Sequence, residues 1–300
     1  MSTPFPVSVA VVLTCYNRRE KTAACLRALM NQATQLAGRC TLRLVVTDDG
    51  SSDDTREMLA SEFPQAVVIL GDGNLFWAGG MRAAFGHALG EGHDFYLWIN
   101  DDVELFPNCL QTLLDTHDAQ IKATGKSGLV VGSMCNMQGQ FTYGGMVRKG
   151  NGWVRRYVQI QPGEAPLACD TMNGNCVLIS RAAAAVLGNM DAAYRHGIGD
   201  MDYGLRATRA GIPVWVMPGY VGRCTHDHLI EGSYLDRTLP LAVRWKKITS
   251  PKGLAPSAWL IYCRRHAGWL WPLHWAWPYA KVVWTSIVYR LAFSNHRPSL

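Results

Sequence analysis

Two adjacent carboxylates, Asp101 and Asp102, stand directly after the apolar run 95–99. Two like charges at the end of a buried strand repel each other unless a cation or a hydrogen-bond donor lies beside them. Carboxylate oxygens are ligands that suit Mg²⁺ or Mn²⁺, and either ion also binds phosphate. The pair is therefore a candidate site for a metal and a phosphate, while a loop turn before Pro107 is the structural alternative.

Four further polar clusters have the same character. The first offers a hydroxyl, an aromatic face and an amide for a nucleoside, and the second a carboxylate for a base imide or a ribose hydroxyl. The third places carboxylates where a helix begins, for capping or for general-base catalysis. The fourth offers imidazoles, which are common ligands of transition metals. In chain order they are Thr14-Cys15-Tyr16-Asn17, Asp48-Asp49-Gly50-Ser51-Ser52-Asp53, Gly199-Asp200-Met201-Asp202-Tyr203-Gly204-Leu205-Arg206 and Thr225-His226-Asp227-His228.

The elements that must position these clusters alternate between strand-like and helix-like segments. This alternation predicts an α/β fold, with a mostly parallel sheet and helices on both faces. Ligands of such sheets bind outside the carboxyl ends of the strands, which is where the clusters stand. Asp53 is expected to cap the helix that follows the second strand. The predicted strands are 7–13, 42–47, 66–70 and 94–99, and the predicted helices include 18–31 and 78–90.

The pattern changes after Asp102. Short strand-like segments joined by glycine-rich turns predict a small antiparallel part with hairpins. A helix over 200–210 is expected to end at Gly211 and Pro213. The predicted strands of this part are 128–132, 141–147, 153–160, 176–180 and 214–217.

The charge of the chain is unevenly distributed. The 300 residues are 48% hydrophobic and 17% charged, which excludes intrinsic disorder. The net charge is +6, but residues 241–300 contain nine Lys and Arg and no Asp or Glu, and residues 1–240 carry a net −3. The basic excess is thus confined to the C-terminal segment and does not indicate nucleic-acid binding.

The segment 241–300 also contains seven of the eleven tryptophans. Aromatic rings mixed with cations are typical of a segment at an anionic membrane surface. Packing on the rest of the chain or in an oligomer interface is the alternative. We expect a domain over 1–240 and a helical, membrane-associated segment over 241–300, in which Pro272 and Pro278 interrupt any long helix.

The nine cysteines include no CxxC pair, which favours reduced thiols and a cytoplasmic location. A signal peptide is not expected, because no charged n-region precedes an apolar run. No apolar stretch reaches the roughly 20 residues that cross a bilayer. The expected location is cytoplasmic, peripheral at the inner face of the cell membrane.

In combination, the motifs resemble those of family 2 glycosyltransferases, which have a GT-A fold. The resemblance extends over roughly residues 7–230 and rests on six motifs in the family's order. They are Val9-Ala10-Val11-Val12-Leu13-Thr14-Cys15-Tyr16-Asn17-Arg18, Val45-Val46-Thr47-Asp48-Asp49-Gly50-Ser51, Gly73-Asn74-Leu75-Phe76-Trp77-Ala78-Gly79-Gly80, Trp98-Ile99-Asn100-Asp101-Asp102, Asn173-Gly174-Asn175-Cys176-Val177-Leu178-Ile179-Ser180-Arg181 and Gly199-Asp200-Met201-Asp202-Tyr203-Gly204-Leu205-Arg206.

The resemblance implies an inverting transferase that uses Mn²⁺ or Mg²⁺, a nucleotide-sugar donor and a glycan or lipid-linked acceptor, in cell-surface polysaccharide synthesis. Hexosyl and deoxyhexosyl transfer are both compatible with it. It also implies a role for each matching residue. Thr14, Tyr16 and Asp49 would contact the nucleotide, Asp101 the ribose, Asn74 and Gly80 the donor pocket, Asp102 and His226 (or His228) the metal, and Asp200 (or Asp202) the acceptor hydroxyl.

The chain departs from the family pattern at two positions. Asn100 stands where the family usually has Asp, and Gly199 where it often has Glu. Two alternatives of other classes follow from the same residues. One is a sugar-1-phosphate nucleotidyltransferase, although Tyr16 and Asn17 stand where its basic, glycine-rich loop is needed. The other is a glycan- or lipid-binding scaffold without turnover.

Overall fold

The structure, a computed structural model, describes residues 6–150, 156–224 and 230–294. The chain divides into two compact units, Met1–Thr225 and His226–Leu300, described separately below. The division lies ahead of the boundary expected at residue 240. Tyr234, which precedes residue 240, belongs with the helices that follow, because its carbonyl accepts a hydrogen bond from Arg244 and its side chain packs near Ile248.

The first unit is built on a ten-stranded sheet. Its strands run in the order β10-β13-β6-β12-β4-β1-β2-β3, with β5 paired to β13 and β7 to β6. The strands are β1 (Val7–Cys15), β2 (Cys40–Asp48), β3 (Val67–Leu70), β4 (Phe95–Ile99), β5 (Glu104–Leu105), β6 (Leu129–Cys135), β7 (Phe141–Tyr143), β10 (Leu167–Cys169), β12 (Cys176–Ser180) and β13 (Val214–Arg223). A second sheet contains β8 (Gly145–Lys149), β9 (Arg156–Gln159) and β11 (Thr171–Met172).

Strand direction determines where the loops meet. β4, β1, β2 and β3 pair in parallel, and so do β6 and β13. β12 lies antiparallel between β4 and β6, so those two strands point the same way. The carboxyl ends of β1, β2, β4, β6 and β13 therefore share one edge of the sheet with the amino end of β12. The loops after β1, β2 and β4 contain four of the predicted site residues, namely Tyr16, Asp49, Asp101 and Asp102.

Helices cover both faces of the sheet, as the sequence predicts. On one face, alternate β1 residues pack against leucines of α1 and α4, such as Leu26 and Leu113. On the other face, Trp98 of β4 packs against Phe85 of α3 and Tyr203 of α6. The helices of this unit are α1 (Arg19–Gln35), α2 (Thr55–Glu62), α3 (Phe76–Glu91), α4 (Cys109–Thr124), α5 (Arg181–Leu187) and α6 (Gly199–Arg209).

The predicted strand 141–147 is two strands that belong to different sheets, β7 and β8. The chain changes sheet at Gly144, where a Cβ atom would lie 2.7 Å from the Ser133 hydroxyl and 3.0 Å from the Phe141 ring. Only a glycine allows this close approach. Of the predicted strand 153–160, residues 156–159 form β9, and the segment 151–155 lies outside the described residues.

Asp53 differs from its expected role as the cap of α2. The α2 N-cap position is Asp54, in a left-handed conformation and without a side-chain capping bond. One oxygen of Asp53 accepts from the Thr55 hydroxyl, and the other accepts from the backbone amide of Arg19 at 2.9 Å, where α1 begins. Asp53 therefore links the starts of two helices, a contact across 34 residues that local sequence does not reveal.

The second unit is helical, as expected. It contains α7 (Leu241–Ile248), α8 (Pro256–His266), a short 3₁₀ turn (Gly268–Leu270) and α9 (Trp271–Ser294). The expectation that Pro272 and Pro278 interrupt a long helix is wrong, because α9 runs through both. Pro272 lies in the first turn, where no amide is needed, and the α9 residues after Pro278 are held by tertiary contacts with Ile248 and Arg244.

The structure also bears on the expectations about disulfides and about membrane-spanning helices. None of the nine cysteines, all of which lie among the described residues, forms a disulfide, and each is buried. Within residues 6–150, 156–224 and 230–294, we find no helix that has both the length and the apolar character needed to cross a bilayer.

Candidate active site

The carboxylates of Asp101 and Asp102 share one cation. Arg18, which follows β1, places Nη1 at 3.1 Å from Oδ1 of Asp101 and at 2.6 Å from Oδ2 of Asp102. The other oxygen of Asp102 lies 3.8 Å from the Cys224 thiol, which donates to it. The two acids are thus paired as the sequence predicts, and the neutralising group in this structure is a side chain of the chain itself.

Asp101 is suited to an additional partner. Its side chain is buried, and its Oδ2 has no hydrogen-bond partner. Burial raises the pKa of this carboxyl to about 6; Arg18 lowers it and the charge of Asp102 raises it. A buried carboxylate oxygen without a donor is costly. This oxygen and the shared geometry with Asp102 fit a divalent cation or a donor hydroxyl.

The described residues include only part of the predicted metal site. Among them, no group of three His, Cys, Asp or Glu side chains is placed to hold an ion. The predicted ligand His226, like the alternative His228, lies outside the described residues. The acidic pair at 101 and 102 is therefore the part of the predicted metal site that lies among the described residues.

Asn100 forms a link to α3. Its Oδ1 accepts a hydrogen bond of 2.8 Å from Nε1 of Trp77, and its backbone amide donates to the carbonyl of Asn175. An amide at this position accepts the indole hydrogen bond without adding a third negative charge beside Asp101. The departure from the family pattern at Asn100 thus has a local structural explanation.

Asp200 lies on the other side of the same tryptophan. Its Oδ2 accepts from the backbone amide of Gly174 at 2.8 Å, and its Oδ1 accepts from the amide of Met201 at 2.8 Å. A Cβ atom on Gly174 would lie 2.5 Å from the Trp77 ring and 3.2 Å from Cβ of Asp200. Glycine therefore allows the ring, the loop before β12 and the start of α6 to meet. The two backbone amides fix the orientation of the Asp200 carboxylate.

Asp202 has a structural role. It is fully buried, and its oxygens accept from the Arg206 guanidinium at 3.0 Å and the Tyr194 hydroxyl at 3.1 Å. Arg206 also donates to the carbonyls of Leu187 and Asn189. This network anchors α6 inside the fold.

Gly199 lies in a tightly packed position beside this network. A Cβ atom there would lie 3.2 Å from Met190 and Tyr194 and 3.5 Å from Ala78. A glutamate, as the family often has, would require these neighbours to move. The second departure from the family pattern therefore follows from the packing of α6.

Asp49 organises the loop between β3 and α3. It is buried, and its two oxygens accept from the backbone amides of Gly73, Leu75 and Phe76 at 3.0, 3.2 and 2.9 Å. Phe76, a non-glycine residue, has a φ of 57° in this turn. Three donors to one carboxylate hold the strained loop in place. Asp49 lies at the expected edge of the sheet, with its side chain committed to the loop.

Thr14 and Gly80 contact each other. A Cβ atom on Gly80 would lie 2.2 Å from the Thr14 hydroxyl, and the Thr47 hydroxyl donates to the Gly80 carbonyl at 2.8 Å. Gly80 is buried, so the structure gives it the role of bringing α3 close to β1 and β2. Tyr16, in contrast, is 53% exposed at the end of β1, where a ligand can reach its ring.

Asn74 is exposed in the loop that Asp49 holds. Its carbonyl accepts from the Arg195 guanidinium, which also lies 5.1 Å from the centre of the Phe76 ring. The carbonyl of Arg195 accepts from the amides of Ala78 and Gly79. Arg195 thus holds the loop before α3 through its side chain and the first turn of α3 through its carbonyl.

Arg18, Trp77 and Arg195 were not among the predicted site residues. Arg18 and Trp77 stand inside motifs that the sequence singles out, but their partners lie 83 and 23 residues away. The side chains of Arg18 and Trp77 can be recognised as site residues only when the fold has brought the loops together. Arg195 has no motif of its own, and its partner Asn74 lies 121 residues away.

The acidic pair and Asp200, at the carboxyl edge of a mostly parallel sheet, are the arrangement of a GT-A glycosyltransferase. The model of the family "Glycosyl transferase family 2" matches residues 10–181, which is more than half of the chain. The chain belongs to this family.

Two curated relatives come from Mycobacterium tuberculosis, strains CDC 1551 / Oshkosh and ATCC 25618 / H37Rv. Each is an N-acetylglucosaminyl-diphospho-decaprenol L-rhamnosyltransferase, 24% identical over 266 residues that cover 80% of this chain and 81% of the relative.

Solved structures show the same fold. GalNAc-T7 with UDP, GalNAc and Mn²⁺ has a TM-score of 0.53 at 15% identity, over 74% of this chain and 44% of that one. The match thus spans less than half the length of GalNAc-T7. The mannosyltransferase PcManGT from Pyrobaculum calidifontis, with GDP-Man and Mn²⁺, has a TM-score of 0.51 at 14% identity, over 99% of this chain and 77% of that one. The GT-A fold predicted from sequence is confirmed.

Proposed function

We propose that this glycosyltransferase moves a hexosyl or deoxyhexosyl group from a nucleotide-sugar to a lipid-linked glycan acceptor, with inversion, in cell-surface polysaccharide synthesis. The carrying observation is the pair of the buried Asp101 and the half-buried Asp102, which share the Arg18 guanidinium, while Asp101 keeps an oxygen without a partner. The rhamnosyltransferase relatives, named for a diphospho-decaprenol acceptor, support a lipid-linked acceptor. The proposed location of the reaction is the inner face of the cell membrane.

Mn²⁺ or Mg²⁺ is the proposed cofactor, and both structural neighbours were solved with Mn²⁺. Asp102 would hold the ion together with His226, and Asp101 would reach the donor ribose through its unpartnered oxygen. A bound divalent cation would neutralise the negative charge that develops on the leaving diphosphate. When no ion is bound, Arg18 holds the two carboxylates in place.

The remaining donor contacts are assigned to the loops at the carboxyl edge. The exposed ring of Tyr16 is proposed to stack on the base, and Thr14 to contact the nucleoside. Asp49 is proposed to act on the base region by shaping the loop that carries Asn74, because three amides already engage its oxygens. Gly80 contributes to the donor pocket by allowing the close approach of α3 to Thr14.

Asp200 is proposed as the general base that deprotonates the acceptor hydroxyl. The amides of Gly174 and Met201 hold its carboxylate in a fixed orientation, which a base requires. One base and one leaving group are enough for direct displacement at the anomeric carbon. A single displacement inverts the configuration of that carbon.

The function is tested by incubating the full chain with a panel of nucleotide-sugars and Mn²⁺. We expect slow release of a nucleoside diphosphate from one class of donor, with release lost when EDTA is added. Pyrophosphate release from a nucleoside triphosphate and a sugar-1-phosphate would support a nucleotidyltransferase instead. Cation-dependent nucleotide binding without release or transfer would support a non-catalytic scaffold.

The shared cation gives a prediction for Arg18. In Arg18→Ala, the buried Asp101 and the half-buried Asp102 lose their counter-charge, so the metal-free protein should melt at a lower temperature than the wild type. Mn²⁺ no longer competes with the guanidinium, so it should bind more tightly and raise the melting temperature by more than in the wild type. Thermal unfolding with and without Mn²⁺ measures both, with Arg19→Ala as control. A smaller Mn²⁺-induced rise than in the wild type would contradict the competition.

A further inference from the structure

Helix α9 presents an apolar surface to solvent. Six of its large hydrophobic side chains are 45–67% exposed, and successive members of the series are four, seven, three, one and three residues apart. This spacing places them on one side of a helix. We define this surface as the apolar face of α9; it consists of Leu273, Trp277, Trp284, Ile287, Val288 and Leu291.

The opposite side of α9 is held inside the second unit. Tyr279 and Val282 are buried in a cluster with Ile248 of α7. The buried Arg244 donates to the Val282 carbonyl at 3.3 Å and also to the Ser286 hydroxyl. A buried guanidinium that loses its acceptors pays a large desolvation cost. These contacts fix the rotation of α9, so the apolar face stays outward.

The sequence segment that contains this face carries charge of one sign. Residues 241–300 contain nine Lys and Arg and no acidic residue. A second copy of this surface would bring like charges together, whereas an anionic lipid surface offers the opposite charge. The exposed cations among the described residues of the segment are Lys246, Lys247, Lys252, Arg264, Lys281 and Arg290.

We propose that the apolar face of α9 inserts into the headgroup region of an anionic phospholipid bilayer, with the helix lying along the membrane. Trp277 and Trp284 would lie at the level of the headgroups, where indole rings are favoured. Lys281, between them in sequence, would extend its charge toward the lipid phosphates. This proposal rests on the proposed function. Insertion of α9 would hold the transferase at the surface that contains a lipid-linked acceptor.

Vesicle flotation with the full chain tests this contact. The wild type should float with vesicles of phosphatidylcholine and phosphatidylglycerol and much less with phosphatidylcholine alone. The double variant Trp277→Glu, Trp284→Glu should bind the anionic vesicles at least about tenfold more weakly. The reason is that it puts two negative charges into the face that we propose to insert into the headgroup region. The matched control is Met137→Glu, Val186→Glu, which alters two exposed apolar residues of the first unit and should float like the wild type.

Equal flotation of the two double variants, or no flotation of the wild type, would overturn the proposal. A wild-type dimer in sedimentation that the Trp277, Trp284 variant loses, without any flotation, would assign the face to a second copy. Nucleoside diphosphate release from the donor, measured without vesicles, should be the same in the variant and the wild type. If release is absent in both while flotation persists, the proposed function fails and the membrane contact stands.

Discussion

Replacing Asp200 by Asn is expected to lower the turnover number of sugar transfer by about 10²–10⁴-fold, the range typical of a lost general base. The amide keeps the size of the carboxylate and can still accept from the Gly174 backbone, so the loop before β12 should keep its position. The Michaelis constant for the donor and the melting temperature should therefore change little. Steady-state kinetics of the folded variant, with circular dichroism beside it, measure all three.

Asp202→Asn is the matched control for this result. It removes the same charge two residues away, but from the buried pair with Arg206. We expect it to lower the melting temperature, because the guanidinium keeps its charge and loses its partner. Turnover per folded molecule should stay within a few fold of the wild type. If Asp202→Asn abolished turnover in a stable protein while Asp200→Asn retained it, the two assignments would be reversed.

Replacing Asp102 by Asn is expected to weaken Mn²⁺-dependent binding of a nucleoside diphosphate by about a hundredfold or more. The physical reason is the loss of a charged oxygen ligand from a cation whose contribution is worth several kcal/mol. Arg18 keeps its contact with Asp101, so the fold should persist. Isothermal titration with the diphosphate, in Mn²⁺ and again in EDTA, gives the cation-dependent part directly.

Glu104→Gln provides the control for Asp102→Asn. Glu104 is a nearby acid in sequence, with a side chain 63% exposed and paired to Arg223 at 3.3 Å. Its loss should leave the cation-dependent binding unchanged. An Asp102→Asn protein that binds the diphosphate as the wild type does, with the same response to EDTA, would show that the metal is held elsewhere.

The sequence predicts the parts of the fold that depend on local patterns. Buried β-branched runs mark β1 and β2, and the glycine and proline after α6 mark its end near Arg209. The order of the acidic clusters then indicates which edge of the sheet carries the site. Family and fold were both predicted correctly, because the motifs are short, contiguous and in a fixed order.

The remaining features depend on contacts between distant residues. The place of Arg18 between two carboxylates, and the three amides around Asp49, exist only after the sheet has brought the loops together. The change of sheet at Gly144 depends on what its absent side chain would meet. The passage of α9 through Pro278 depends on tertiary contacts that outweigh a lost backbone bond. Periodicity and propensity contain none of this information.

The two departures from the family motif are likewise explained by neighbours in space. Asn100 suggests a deficient metal site when it is read alone, yet its oxygen accepts the indole of Trp77. Gly199 leaves open which acid is the base, and the burial of Asp202 beside Arg206 supports the proposal that it is Asp200. In both cases a single neighbour in space changes the interpretation of the residue.

The most direct test of the central claim is the anomeric configuration of the product. The wild-type chain, Mg²⁺, the active nucleotide-sugar and an acceptor should yield a glycoside, whose anomeric proton coupling is read by nuclear magnetic resonance. We predict a configuration opposite to that of the donor, with no product after chelation of the metal and product formed about 10²–10⁴-fold more slowly in Asp200→Asn. Retention of configuration, or product formed at full rate in EDTA, would contradict the account.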